Sequence, residues 1–276
     1  MIRGFAAIAG LPLFLRYVAA GREWQLWVYD LARGTNSRLT GEGCAVYPIW
    51  TPDGQRLFSQ WQKSVVANLF WQPFDGSSPI ERLTTSEYFQ APGTVSPDGK
   101  TVILVEVHPD TGHDIETLDV GTGRITPFLK SQFDERYPDL SPDGRWLAYT
   151  SNESKRDEVY VQPFPGPGMK YLVSNEGGDS PLWSRNGKQL FYRRQDQVWG
   201  VDVRTDGPFA TSKPRLLFEK AGYGIGDPIR SYDLSLDSQR FLMVKDEQRT
   251  SAPATEVVLV QNWFEELERL VPTGKK

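Results

Sequence analysis

The chain has 276 residues, 24% of them charged, and a net charge of −4. Lys and Arg are scattered, which leaves no basic face for nucleic acid and no polybasic surface for a membrane. The single cysteine, Cys44, excludes an internal disulfide and a cysteine-cluster metal site, and no apolar run reaches the roughly 18 residues of a membrane span.

In chain order, the N-terminus admits two readings. Arg3, the apolar stretch from Gly4 to Leu15 and "VAA" at Val18–Ala20 fit a signal peptide, while "LFLRYVAAG" also reads as a strand of a repeat. No clear first strand for a first repeat precedes it. From residue 25 a cycle sets in. "QLWVYDL" (25–31) is a strand rich in aromatic and β-branched residues, followed by the turn "ARGTNS" and a short strand "SRLT" (37–40). An aromatic-Pro pair, Tyr47-Pro48, then leads to "TPDG" at Thr51, and Leu57-Phe58 opens the next strand.

The Pro-Asp-Gly signal recurs at Ser96 and Ser141, with worn copies at Ser184 ("SRNG") and Ser235 ("SLDS"); successive openings lie 45, 45, 43 and 51 residues apart. Pro presets φ for the first corner, Asp hydrogen-bonds within its own turn, and Gly accepts a positive φ, so each copy predicts a tight hairpin. Further strands of the 25–31 kind occur at 68–74, 114–120, 158–164, 197–203 and 256–263, and closing strands at 80–85, 124–129, 170–174, 214–219 and 268–272. Four antiparallel strands per repeat of about 45 residues predict an all-β, six-bladed β-propeller forming a single domain. The approximate blades are 1–43, 44–87, 88–132, 133–176, 177–221 and 222–276. Trp50, Trp146, Trp183 and Trp199 are expected between blades. One segment, "NWFEELERL" (262–270), could form a helix or the last hairpin.

The whole chain resembles the TolB-like β-propellers with Pro-Asp-Gly repeats, above all the propeller halves attached to bacterial receptor serine/threonine kinases and related free-standing proteins. "YPDLSPDGRWLAYTSNES", "EVYVQPFPGPG", "PLWSRNGKQLFYRR" and "EVVLVQNWFEELERLVP" carry the likeness. The resemblance implies a ring that binds a ligand or partner, often in the cell envelope. Two things that such propellers can be joined to are missing from the sequence: kinase motifs and a following α/β-hydrolase domain.

Chemistry-bearing residues are sparse. His108 and His113, with Asp110 and Asp114, sit in one loop whose spacing matches no zinc site well, and no G-x-S-x-G elbow occurs. "FDERYPD" (133–139) and "EGGDSP" (176–181) precede first strands, which line the channel of a propeller. Asp134, Glu135, Asp139, Asp179 and Asp227 are therefore expected at a channel mouth, joined by Tyr223 and Arg230 (and Ile225) from the long loop around "GYGIGD". The expectation is a non-enzymatic propeller engaging a protein or peptide partner on one face, with no catalytic residues, no cofactor and no resident metal. The alternatives are a metal-dependent hydrolase or lyase using the channel carboxylates, and the sensor half of an envelope kinase or peptidase. The expected location is the periplasm or cell envelope, with the cytoplasm as alternative.

Overall fold

A computed structural model describes residues 2–7, 13–20, 23–30, 33–41, 43–62, 66–224, 227–235, 237–243 and 258–260, with side chains from Trp24 to Met243 within those ranges. The described residues form six antiparallel sheets and no helix. Blade 1 is β1 (Ile2–Ala7), β2 (Leu13–Ala20), β3 (Glu23–Asp30) and β4 (Thr35–Arg38); blade 2 is β5 (Cys44–Trp50), β6 (Arg56–Gln62), β7 (Asn68–Pro73) and β8 (Glu81–Arg82). Blade 3 is β9 (Phe89–Val95), β10 (Thr101–His108), β11 (Gly112–Asp119) and β12 (Ile125–Leu129). Blade 4 is β13 (Glu135–Leu140), β14 (Trp146–Ser151), β15 (Glu158–Pro163) and β16 (Tyr171–Leu172).

Blade 5 is β17 (Asp179–Trp183), β18 (Gln189–Arg194), β19 (Gln197–Arg204), β20 (Ala210–Thr211) and β21 (Arg215–Glu219), with β20 and β21 both pairing β19. Blade 6 contributes β22 (Tyr232–Leu234), β23 (Phe241–Met243) and β24 (Val258–Val260). The sheets form a six-bladed β-propeller. First strands neighbour one another around the axis, and β22 of blade 6 lies beside β1 of blade 1. The first strand missing from the sequence reading is thus Ile2–Ala7, paired to Leu13–Ala20. Segment 262–270 lies outside the described residues.

The repeat turn explains why this motif was copied. In all five copies the opening hydroxyl (Thr51, Ser96, Ser141, Ser184, Ser235) donates to the side chain of the third residue and accepts the N–H of the sixth at 2.9–3.0 Å. The third residue, Asp53, Asp98, Asp143, Asn186 or Asp237, accepts the N–H of the fifth. The Ser96 and Thr51 hydroxyls hold Asp98 and Asp53 below the usual carboxylate range. The fourth residue takes a left-handed φ, +73° at Gly99 and +57° at Ser238. Pro is dispensable, since the copies at Ser184 and Ser235 keep the geometry without it. Ser96→Ala removes an acceptor and a donor from a half-buried turn; a loss of about 1 kcal/mol is expected, read as a lower urea midpoint with unchanged m-value.

Turns also touch from blade to blade. The Pro97 ring lies 3.1 Å from where a Cβ on Gly144 would stand, and Pro52 and Pro142 approach Gly99 and Gly187 in the same way. Where the second residue is Arg185, its N–H needs an acceptor, and the next blade supplies Ser238 Oγ at 2.9 Å in place of glycine. Between blades lie apolar layers: Leu26, Trp50 and Leu57; Phe58, Leu69 and Leu104; Ile103, Leu147 and Tyr149; Val161, Trp183 and Leu190; Leu182, Phe191 and Phe241. Trp50 and Trp183 are buried as expected, whereas Trp146 and Trp199 pack at the margin of the layer between blades 4 and 5.

Candidate functional site

Hairpin topology sorts the loops. The repeat turns join first to second strands at one end of the ring; the lead-in segments before first strands, with the second-to-third loops, gather at the other. Each first strand of blades 2 to 5 carries a bulge at a proline position: Tyr47-Pro48, Pro92-Gly93, Tyr137-Pro138 and Ser180-Pro181. Proline suits a bulge because it has no N–H to leave unpaired. Tyr47, Tyr137 and Ser180 stand at φ near +50°, at +52°, +55° and +53°.

These bulges receive a segment from the far side of the ring. Residues 227–231, which lead into β22, cross the axis. Tyr47 Oη of blade 2 donates to Asp227 O at 2.8 Å, and Tyr137 N–H of blade 4 donates to Pro228 O at 3.1 Å. Ile229 packs on Ala91 and Val105 of blade 3. Arg136 links Asp227 (3.1 Å) and Asp157 (2.8 Å). Deeper, Arg230, its side chain 15% exposed, meets the buried Asp139 at 2.9 Å, and Asp139 Oδ2 accepts Trp183 N–H at 2.7 Å. Arg185 and Asp233 form a neighbouring pair at 2.9 Å. The loop-end mouth is therefore strapped by the chain itself.

The expected site residues divide. Asp227 (side chain 59% exposed) sits at the mouth, with Arg136 and Asp157, which the sequence reading passed over. Asp179 lies just below, opposite Arg193 in the blade 5 register; burial raises its pKa against the pull of Arg193. Asp139 and Arg230 are inside the channel, where burial pushes Asp139 up and the Arg230 guanidinium pulls it back. Tyr223 is buried among Leu182, Phe191 and Phe241. Ile225 lies outside the described residues.

Asp134 and Glu135 point to the blade 3–4 boundary instead. Asp134 accepts from His113 Nδ1 (2.8 Å) and His113 N–H, and although burial opposes it these bonds hold its pKa low. Glu135 accepts from Ser131 at 2.6 Å, and burial pushes it up to about 7. His108 packs against Tyr88 with ring centroids 4.6 Å apart and the rings tilted by 57°, while His113 faces Asp134, so the two histidines have separate partners. Among the described residues no three His, Cys, Asp or Glu side chains are grouped to hold a metal ion, and no helix is long and apolar enough to cross a membrane.

At the turn end, clefts of about 880 and 820 Å³ open between blades 4 and 5 and between blades 3 and 4, and share Asp143.

No family model matches the chain. It is 28% identical over 137 residues to uncharacterized protein Atu1656 of Agrobacterium fabrum, covering 46% of each chain, so the match spans about half of that relative. In structure it is similar to TolB from Acinetobacter baumannii (TM-score 0.62, 20% identity, 78% of this chain and 56% of that one). It is also similar to an oligogalacturonate lyase in complex with manganese (TM-score 0.63, 14% identity, 90% and 72%). At these identities the two structural likenesses establish the propeller fold.

Proposed function

We propose that the chain is a binding propeller that engages a protein or peptide partner at its loop-end mouth. One observation carries this reading: the strap 227–231 crosses the axis and commits the channel carboxylate of Asp139, which Arg230 and Trp183 N–H hold, so that the mouth offers a rim rather than an open, carboxylate-lined channel. That rim combines the half-exposed rings of Tyr47, Tyr88 and Phe89 with the carboxylates of Asp157 and Asp227 around Arg136, a mixture of aromatic anchors and directional charge that suits an extended polypeptide. The likeness to TolB supports the same reading, as does the kinase-linked resemblance, in which such a ring would serve as the sensing part. An envelope location belongs to this proposal and rests on that resemblance.

Panning a random-peptide phage library on the immobilised protein tests it. Enriched peptides are expected to lose about tenfold in affinity, by fluorescence anisotropy, with Asp157→Ala or Tyr88→Ala, and to be unaffected by Lys188→Ala at the turn end. Peptides that instead depend on Lys188, or no enrichment at all, would contradict the reading.

A further inference from the structure

One group of titratable side chains plays no part in the mouth. In blade 3, Glu106 stands opposite Asp114 in the β10–β11 register, and Glu116, two residues on, falls on the same face. Glu135, the first residue of β13, faces blade 3 from the blade 4 side, where the Asp114 charge reaches it. All four are more than nine-tenths buried: Glu106 is 7% exposed, Asp114 0%, Glu116 5% and Glu135 3%.

Among the described residues the one cation in an ion pair with them is Lys130, 3.5 Å from Asp114. Other charges around them are already matched. Lys170 pairs with Glu153, His113 with Asp134, and Arg82 of blade 2 is committed to Thr84 O and Asn68. Neutral donors do not make up the difference. Glu106 accepts from Ser86 and Gln90, both at 2.7 Å, and Asp114 Oδ2 from Thr111 at 2.6 Å. Among the described residues Asp114 Oδ1 and Glu135 Oε2 accept no hydrogen bond. Four ionised carboxylates with one ammonium would leave a net charge of −3 out of water, at a cost of several kcal/mol per uncompensated ion.

We propose that this seam is a proton-binding device: on acidification Glu116 and Glu135 each take up a proton, one on either side of blade 3, and this uptake tightens the lead-in segments 84–90 and 130–136 that end at the rim. The coupling runs through Ser86 and Gln90, which hold Glu106, and through Ser131, which holds Glu135. Burial, with the Glu106 and Asp114 charges adding to it, pushes Glu116 up to about 7; burial does the same for Glu135, likewise to about 7. Both start from an unfolded value of 4.5. Between these values the folded chain holds protons that the unfolded chain has released, so stability falls as pH rises through the window and is greatest at its acid end. The device stands apart from whether the rim takes a partner.

Carboxyl-carbon NMR titration of glutamate-labelled protein, with amide exchange of both segments, tests it. Protection factors at about pH 5.5 should exceed those at about pH 8 by roughly tenfold, and two glutamate carboxyls should titrate near neutrality. Glu116→Gln with Glu135→Gln should hold the acid-side protection at both pH values, while His113→Asn should leave the pH dependence in place. Equal protection at both pH values, or a dependence that vanishes with His113→Asn and survives the glutamine variants, overturns the proposal.

Discussion

Arg230→Ala is expected to cost about 3–5 kcal/mol, because it leaves Asp139 buried with a single main-chain N–H for company. At 2–4 °C per kcal/mol for a chain of this size, thermal unfolding should begin roughly 10 °C lower. The loss belongs to the orphaned carboxylate more than to the lost attraction. Arg230→Met combined with Asp139→Leu should therefore recover most of the stability, since apolar replacement of a whole buried pair is often neutral. A single variant that unfolds within about 1 kcal/mol of the parent would mean that the strap does not bury this pair in solution.

Gly93→Ala should destabilise by about 1–3 kcal/mol, and Gly93→Val by more. Gly93 is the unpaired residue of the blade 3 bulge, and a Cβ there would stand 2.5 Å from Pro138 Cγ and 3.2 Å from Pro138 O of the next first strand. Ring atoms and main chain cannot swing aside as a flexible side chain could, so adjacent first strands would have to part in a close-packed interior. Pro138→Ala should relieve much of it. A double-mutant cycle read from urea midpoints should give a coupling of about 1 kcal/mol in the favourable direction; strict additivity would show that the two strands are not in contact.

Much of the fold could be read from the residues because its information is local. A Ser/Thr, an Asp and a Gly within four positions specify a turn whose hydrogen bonds all close inside six residues, and the six aromatic-rich strands of the 25–31 kind count the blades. Ile2–Ala7 escaped notice because an apolar, proline-free strand before the first turn has the composition of a leader. The strap could not be seen at all. Its bonds join residues 180 apart (Tyr47 and Asp227) and 91 apart (Arg136 and Asp227), and periodicity speaks only of what recurs within one repeat. For the same reason Arg230 read as a surface contact and Asp139 as channel-mouth charge, when each is the other's partner. The seam of Glu106, Asp114 and Glu116 left a fainter sign: acidic residues two apart on facing strands share one side of a sheet, here the side covered by blade 2.

The contact of each turn with the following blade carries a lesson for anyone rebuilding this ring. Copies that hand a proline ring to a neighbour's bare glycine, or an amide to a neighbour's hydroxyl, are not interchangeable cassettes. Restoring the consensus Gly at Ser238 alone would strip Arg185 of its acceptor, and restoring Pro at Arg185 alone would idle the serine; the two edits have to travel together. Drift in such an array is thus inherited by the next module along, in one rotational sense, and the unit that can vary freely is the joint between blades.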